Sequence, residues 1–107
     1  MARALILAPK TASRGDVFEV RATVAHPQET GTRSDGAGGV VPRNIVSKVE
    51  CRYGGETVFS ADLYTAIAAN PLVTFFVVAT ASSPIEVVWT GDFGFIQRDS
   101  VDLAVTA

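Results

Sequence analysis

Apolar and polar residues alternate with a period of two through most of this chain, and glycine or proline interrupts the pattern at short intervals. In residues 16–25, Phe18, Val20, Ala22 and Val24 share one side, while Asp16, Glu19, Arg21 and Thr23 fall mostly on the other. In residues 45–53, Ile45, Ser47, Val49, Cys51 and Tyr53 oppose Lys48, Glu50 and Arg52. Gly54-Gly55 follows, and Phe59, Ala61 and Leu63 then resume one face. Ile85, Val87 and Trp89 make a further row, and Val101, Leu103 and Val105 the last. Such alternation describes strands with one buried face. Two runs joined by Gly-Gly predict a tight hairpin with positive φ at the turn. Residues 3–8 predict a first strand. Residues 72–79 are apolar on both sides, as a buried central strand would be. Residues 64–70 are alanine-rich and predict at most one helical turn before Pro71. About seven short strands with frequent turns predict an all-β, immunoglobulin-like β-sandwich, with residues 1–107 as a single domain.

Composition narrows the functional classes. A 107-residue chain with 48% hydrophobic and 19% charged residues can bury one core and is not disordered. Its formal net charge of −2 supplies no basic field for nucleic acid. The apolar run at residues 4–8 is shorter than the roughly 7–15 residues of a signal-peptide core, so it reads as a strand. Residues 72–81 are broken by Thr74 and Thr80 and fall short of the roughly 20 residues that cross a bilayer, so no membrane association is expected. With one cysteine there is no internal disulfide, and one histidine plus one cysteine cannot complete a four-ligand structural zinc site.

Three segments stand outside the alternation: residues 26–31, 66–71 and 89–95. Each sets polar or aromatic groups beside proline or glycine, where turns carry recognition. The first opens a long connection, residues 26–41, with four of the nine glycines; a connection of that length is usually functional or mobile. Gly36-Ala37-Gly38-Gly39 has no following helix and no Lys or Ser/Thr in phosphate-loop spacing. Arg14, Arg33 and Arg43 are scattered, as solvated arginines are. Cys51 lies mid-strand on the inward side and reads as a small core residue, since no electropositive setting is predicted to activate it. His26 reads as an anchor of the loop backbone rather than a base or ligand. Trp89 belongs to a core row. Asp92 is expected to hydrogen-bond its own turn. Phe93 and Phe95, two aromatics in one glycine-rich turn, are the stronger contact candidates.

The stretches His26-Pro27-x-Glu29-Thr30-Gly31, Pro42-Arg43-x-Ile45, Arg52-Tyr53-Gly54-Gly55, Ala66-Ile67-Ala68-Ala69-Asn70-Pro71 and Trp89-Thr90-Gly91-Asp92-x-Gly94-Phe95 occur in that order. Together with Ala2-Arg3-Ala4-Leu5-Ile6 they resemble the Z subunits of sulfur-oxidation carrier complexes, the SoxZ family, across nearly the whole chain. One departure is Phe93, where a small polar residue such as Asn is expected. The resemblance implies an immunoglobulin-like sandwich in a heterodimer with a SoxY-like subunit. That partner's C-terminal Gly-Gly-Cys-Gly-Gly arm would carry covalently bound sulfur intermediates. It further implies transient contacts with a c-type cytochrome, a sulfate-releasing hydrolase and a sulfur dehydrogenase, and periplasmic location by co-export with the partner.

The residues here suit that division of labour. The end of the sequence, Leu103-Ala104-Val105-Thr106-Ala107, holds neither cysteine nor glycine arm. A mid-strand Cys51 cannot swing between enzymes as a glycine tether can. No catalytic, cofactor-binding or metal-binding residues are expected. His26, Glu29, Thr30, Asp92, Phe93 and Phe95 are the expected partner-binding residues. The alternatives are a small metal- or redox-active sandwich enzyme using His26 and Cys51, and an adhesion or structural sandwich with no sulfur role.

Overall fold

The computed structural model describes residues 4–64 and 69–107. Eight strands form among them: β1 (Ala4–Leu7), β2 (Thr11–Ser13), β3 (Val17–Val24), β4 (Val46–Tyr53), β5 (Glu56–Asp62), β6 (Leu72–Val78), β7 (Ser83–Gly91) and β8 (Ile96–Thr106). They make one sheet of order β1-β3-β6 and a second of order β2-β8-β7-β4-β5. Pairing is antiparallel except for β2, which runs parallel to the end of β8. The fold is the expected all-β, immunoglobulin-like sandwich. The extra strand over the expected seven is β2, three residues of no apolar pattern that alternation cannot reveal.

The inward rows supply the core. Phe18, Val20, Ala22 and Val24 of β3 face Val49, Cys51 and Tyr53 of β4 and Ile85, Val87 and Trp89 of β7. Phe59 of β5 stacks on Phe75 of β6 with ring centroids 4.2 Å apart, which ties one sheet to the other. Phe18 meets Tyr53 edge-on at 6.2 Å. The Tyr53 hydroxyl donates to the Ala81 carbonyl and accepts the N–H groups of Thr80 and Ala81, both at 3.1 Å. A buried aromatic thus fastens the β6–β7 turn. At the β4–β5 hairpin, Gly54 and Gly55 take φ of 63° and 81°, the positive values the Gly-Gly predicts.

Three expectations need correction. The row Ile45, Ser47, Val49 does not hold, because a register shift between Val46 and Lys48 puts Val46 as well as Ile45 in the interior. Strand β6 is not central. It lies at the edge of the three-stranded sheet and leaves Leu72, Phe76 and Val78 largely exposed. The last strand, read from Val101, Leu103 and Val105, extends back to Ile96; its inward positions there, Gln97 and Asp99, are polar and only half-buried, so alternation does not mark them. The helical turn expected in residues 64–70 falls largely on residues 65–68, outside the described residues.

The Val46 shift depends on Gly91, the last residue of β7. Gly91 has an extended φ of −165°, so conformation does not demand glycine there. Space does: a Cβ would lie 2.9 Å from the Val46 Cα and nearer still to the Ile45 carbonyl oxygen. Gly91→Ala is therefore expected to destabilise the fold by about 1–3 kcal/mol. In a thermal melt followed by circular dichroism that is a fall in Tm of roughly 5–15 °C. An unchanged Tm would mean that the two strands separate at no cost.

Candidate functional site

The three segments that stand outside the alternation meet at one end of the sandwich, and His26 joins them. Its backbone N–H donates to the Asn70 side-chain oxygen at 2.9 Å, and the Asn70 N–H donates to the His26 carbonyl at 2.8 Å. Its Nδ1 accepts the Gln28 N–H at 3.1 Å. Its ring meets Phe95 edge-on, with centroids 4.9 Å apart. His26 and Gln28 are each 6% exposed and are the two buried polar side chains among the described residues. Gln28 has a left-handed φ of 52°, and its amide occupies the place of a neighbouring strand. Oε1 accepts the Val46 N–H at 2.7 Å, and Nε2 donates to the Val46 carbonyl at 3.4 Å.

From this anchor the long connection leaves as a ribbon. Glu29 and Asn44 exchange backbone hydrogen bonds at 2.8 and 2.7 Å, and the Val41 N–H donates to the Arg33 carbonyl at 2.8 Å. At the tip the Asp35 carboxylate accepts the N–H groups of Ala37 and Gly39, which holds its pKa below the ordinary value. Residues 32–40 are all exposed.

Beside the ribbon base, Asp92–Gly94 forms a single 3-10 turn between β7 and β8. The Asp92 carboxylate accepts Arg43 Nε at 2.9 Å, Arg43 Nη2 at 2.8 Å and the Ile45 N–H at 3.1 Å. It does not serve its own turn as expected. A two-pronged guanidinium from across the ribbon base offers stronger, charge-assisted bonds. Phe93 sits at the apex with φ 57° and ψ 33°, and it is 76% exposed. That left-handed conformation is costly for a bulky residue and favours Asn or Gly, which accounts for the small polar residue expected there. Strained residues of this kind cluster at functional sites.

The expected partner-binding residues thus separate. Phe93 is exposed, Phe95 is half-buried against His26, and the His26 ring is enclosed in its own domain. Glu29 pairs with Arg33 at 2.7 Å, and Thr30 shares a hydrogen bond with Thr32 at 3.0 Å. Gln28, Arg43 and Asn70 hold the site together; Arg43, expected as a solvated arginine, is paired with Asp92, and nothing in the spacing of the three predicts their long-range partners. Cys51 is fully buried, and burial pushes its thiol up to about 11. It stays protonated at neutral pH, a poor nucleophile and a poor ligand. Among the described residues no group of three or more His, Cys, Asp or Glu side chains is placed to hold a metal. Nor, among them, is any helix long and apolar enough to cross a membrane.

The Asp92 carboxyl is held below its ordinary pKa, first by the Arg43 hydrogen bond and then by the Ile45 N–H. A depressed folded pKa gives a contribution that is complete above the unfolded value, about 3.9, and is lost as pH falls through the folded one. Asp92→Asn is expected to lower Tm at neutral pH. The gap to the unsubstituted protein should hold above about pH 5 and close as the pH falls below the ordinary carboxylate range. A gap independent of pH would show that the charge is irrelevant.

The fold recurs in solved structures. A superoxide reductase (neelaredoxin) from Ignicoccus hospitalis superposes with a TM-score of 0.75 at 17% identity, over 96% of this chain and 79% of that one. The sulfur carrier protein SoxY from Chlorobium limicola f thiosulfatophilum gives 0.70 at 17% identity, over 97% and 79%. A CARDB domain from Pyrococcus furiosus gives 0.53 at 12% identity, over 96% and 94%. At these identities the likeness is one of fold. No curated protein matches the sequence. The family profile described as sulphur oxidation protein SoxZ, by contrast, matches residues 6–102, and the chain belongs to the SoxZ family.

Proposed function

We propose that this chain is the non-catalytic subunit of a two-chain sulfur carrier, binding a SoxY-type partner whose own cysteine bears the sulfur intermediates. The observation that carries the reading is family membership joined to the state of the one thiol. Cys51 is enclosed between two sheets with its pKa raised to about 11, so the sulfur chemistry belongs to another polypeptide. This chain supplies a stiff platform. The alternative enzyme built on His26 and Cys51 finds no support in the geometry, since the His26 Nδ1 is occupied by the Gln28 N–H. The reading includes passing contacts with a c-type cytochrome, a sulfate-releasing hydrolase and a sulfur dehydrogenase. It also includes a periplasmic location, reached together with the partner.

Intact-mass spectrometry of the native complex during thiosulfate turnover tests the assignment. The expected result is a heterodimer with the sulfur adduct on the partner and Cys51 unmodified. An adduct on Cys51, or no partner at all, overturns it.

Within this reading the Phe93 turn contributes to docking. A bulky aromatic held out in a left-handed conformation gains nothing for the fold itself. Phe93→Gly is expected to raise Tm by a few degrees, about 0.5–1 kcal/mol of relieved strain. It should at the same time weaken a complex of the pathway, seen as lower heterodimer affinity or slower thiosulfate-dependent turnover. Unchanged affinity together with unchanged turnover would remove the turn from recognition.

A further inference from the structure

The two outer faces of the sandwich differ in chemistry. The five-stranded sheet presents Lys48, Glu50 and Arg52 of β4, Glu86 of β7, and Arg98 and Asp102 of β8 on its outside. That is a mostly charged face, with Ile96 at one end its more than half-exposed apolar side chain. The three-stranded sheet presents Leu5 and Leu7 of β1, Val17 of β3, and Leu72, Phe76 and Val78 of β6, all more than half exposed. The register groups these around a polar centre. Leu5 and Leu72 flank Thr23, Leu7 and Thr74 flank Arg21, Phe76 lies beside Glu19, and Val78 lies beside Val17. Six such side chains together expose on the order of 600 Å², at the upper end of the roughly 300–600 Å² of the largest apolar patch on a monomer and near the roughly 800 Å² that each partner buries in a stable complex.

The middle of this face is polar in a specific way. Glu19 and Arg21 are paired at 2.6 Å and remain about half exposed. A donor and an acceptor of opposite sign amid apolar side chains fix the orientation in which a partner can dock. The carrier reading supplies one such partner, a SoxY-type subunit, and SoxY shares this fold with a TM-score of 0.70. A groove of about 900 Å³ continues the face along the β1 margin, sharing Leu7, Glu19 and Arg21 with it. We propose that the outer face of the β1-β3-β6 sheet is the seat of the SoxY-type subunit, with Phe76 and Leu72 as its apolar anchors and Glu19–Arg21 setting the orientation. This rests on the carrier reading above and adds to it the surface used.

The test uses the full chain co-expressed with its SoxY-type partner, with affinity measured by titration calorimetry and assembly by light scattering. All three variants are at exposed positions, and their Tm values are expected to match the parent. Phe76→Lys and Leu72→Lys are each expected to weaken the heterodimer by at least about 30-fold, the effect of losing an interface hot spot. Arg98→Glu, on the charged face, should leave affinity within about two-fold. Undiminished affinity in both lysine variants overturns the assigned face while the carrier reading stands. Absence of any heterodimer with the unsubstituted chain overturns both. A homodimer of this chain alone, dispersed by Phe76→Lys, would assign the face to a second copy and overturn the proposal.

Discussion

Two buried polar side chains decide how the long connection meets the sandwich. A buried polar group without partners costs roughly 1–3 kcal/mol, so His26 and Gln28 can be enclosed only where the surrounding backbone answers them. Gln28 does so by pairing with both backbone groups of Val46. It completes the end of β4 where no strand is available. His26 fixes Asn70 on one side and Phe95 on the other. With that hub in place, β3 exits, β6 begins and β8 starts at positions set by one another. The ribbon is then held at its base although its tip touches little else. A two-stranded ribbon alone is marginal in water. The Glu29–Asn44 pair and the Arg43–Asp92 pair sit at its root, where they oppose fraying most effectively.

The same end carries the strained turn. Asp92 is secured from three donors, so the turn cannot rotate to relieve Phe93. The conformation is over-determined by its neighbours, the condition under which a strained residue persists. Packing does not require the aromatic: it is 76% exposed, and Phe95 two residues on already fills the space against His26. The opposite reasoning applies to Cys51. Its surroundings are Val49, Tyr53, Val87 and other core residues, which exclude water and disfavour the thiolate.

Much of this was legible in the sequence because period two is a strong signal wherever one face is buried. The rows of β3, β7 and the second half of β8 read directly, as did the Gly54-Gly55 hairpin. The signal weakens for physical reasons elsewhere. Thr11–Ser13 is too short and polar to show a period. At Val46 an irregularity shifts the faces, and only Gly91, distant in sequence, makes room for it. Strand β6 reads as central because apolar residues on both faces usually mean burial on both faces. Here the outer half is left uncovered by the described residues. Asp92 was noted as a turn residue, but its true partner, Arg43, is 49 positions away. The Gln28 role was hidden because a buried glutamine is recognised by what it bonds.

The misread strand is the most telling of these. In a single-chain sandwich the outer faces meet water, and alternation along each strand records it. Strand β3 obeys the rule after its first residue, Val17, placing Glu19, Arg21 and Thr23 outward. Its two neighbours do not. Selection for solubility alone would remove Leu5, Leu7, Leu72 and Phe76, because exposed apolar strands at sheet edges invite uncontrolled association. Their retention around a single ion pair is the pattern of a surface covered by a chosen partner. The fold is shared with proteins described as superoxide reductases and with a sulfur carrier, so it does not itself select a chemistry. The chemistry of this chain is read from where its own groups lie: the thiol turned inward and protonated, a hydrophobic surface turned outward.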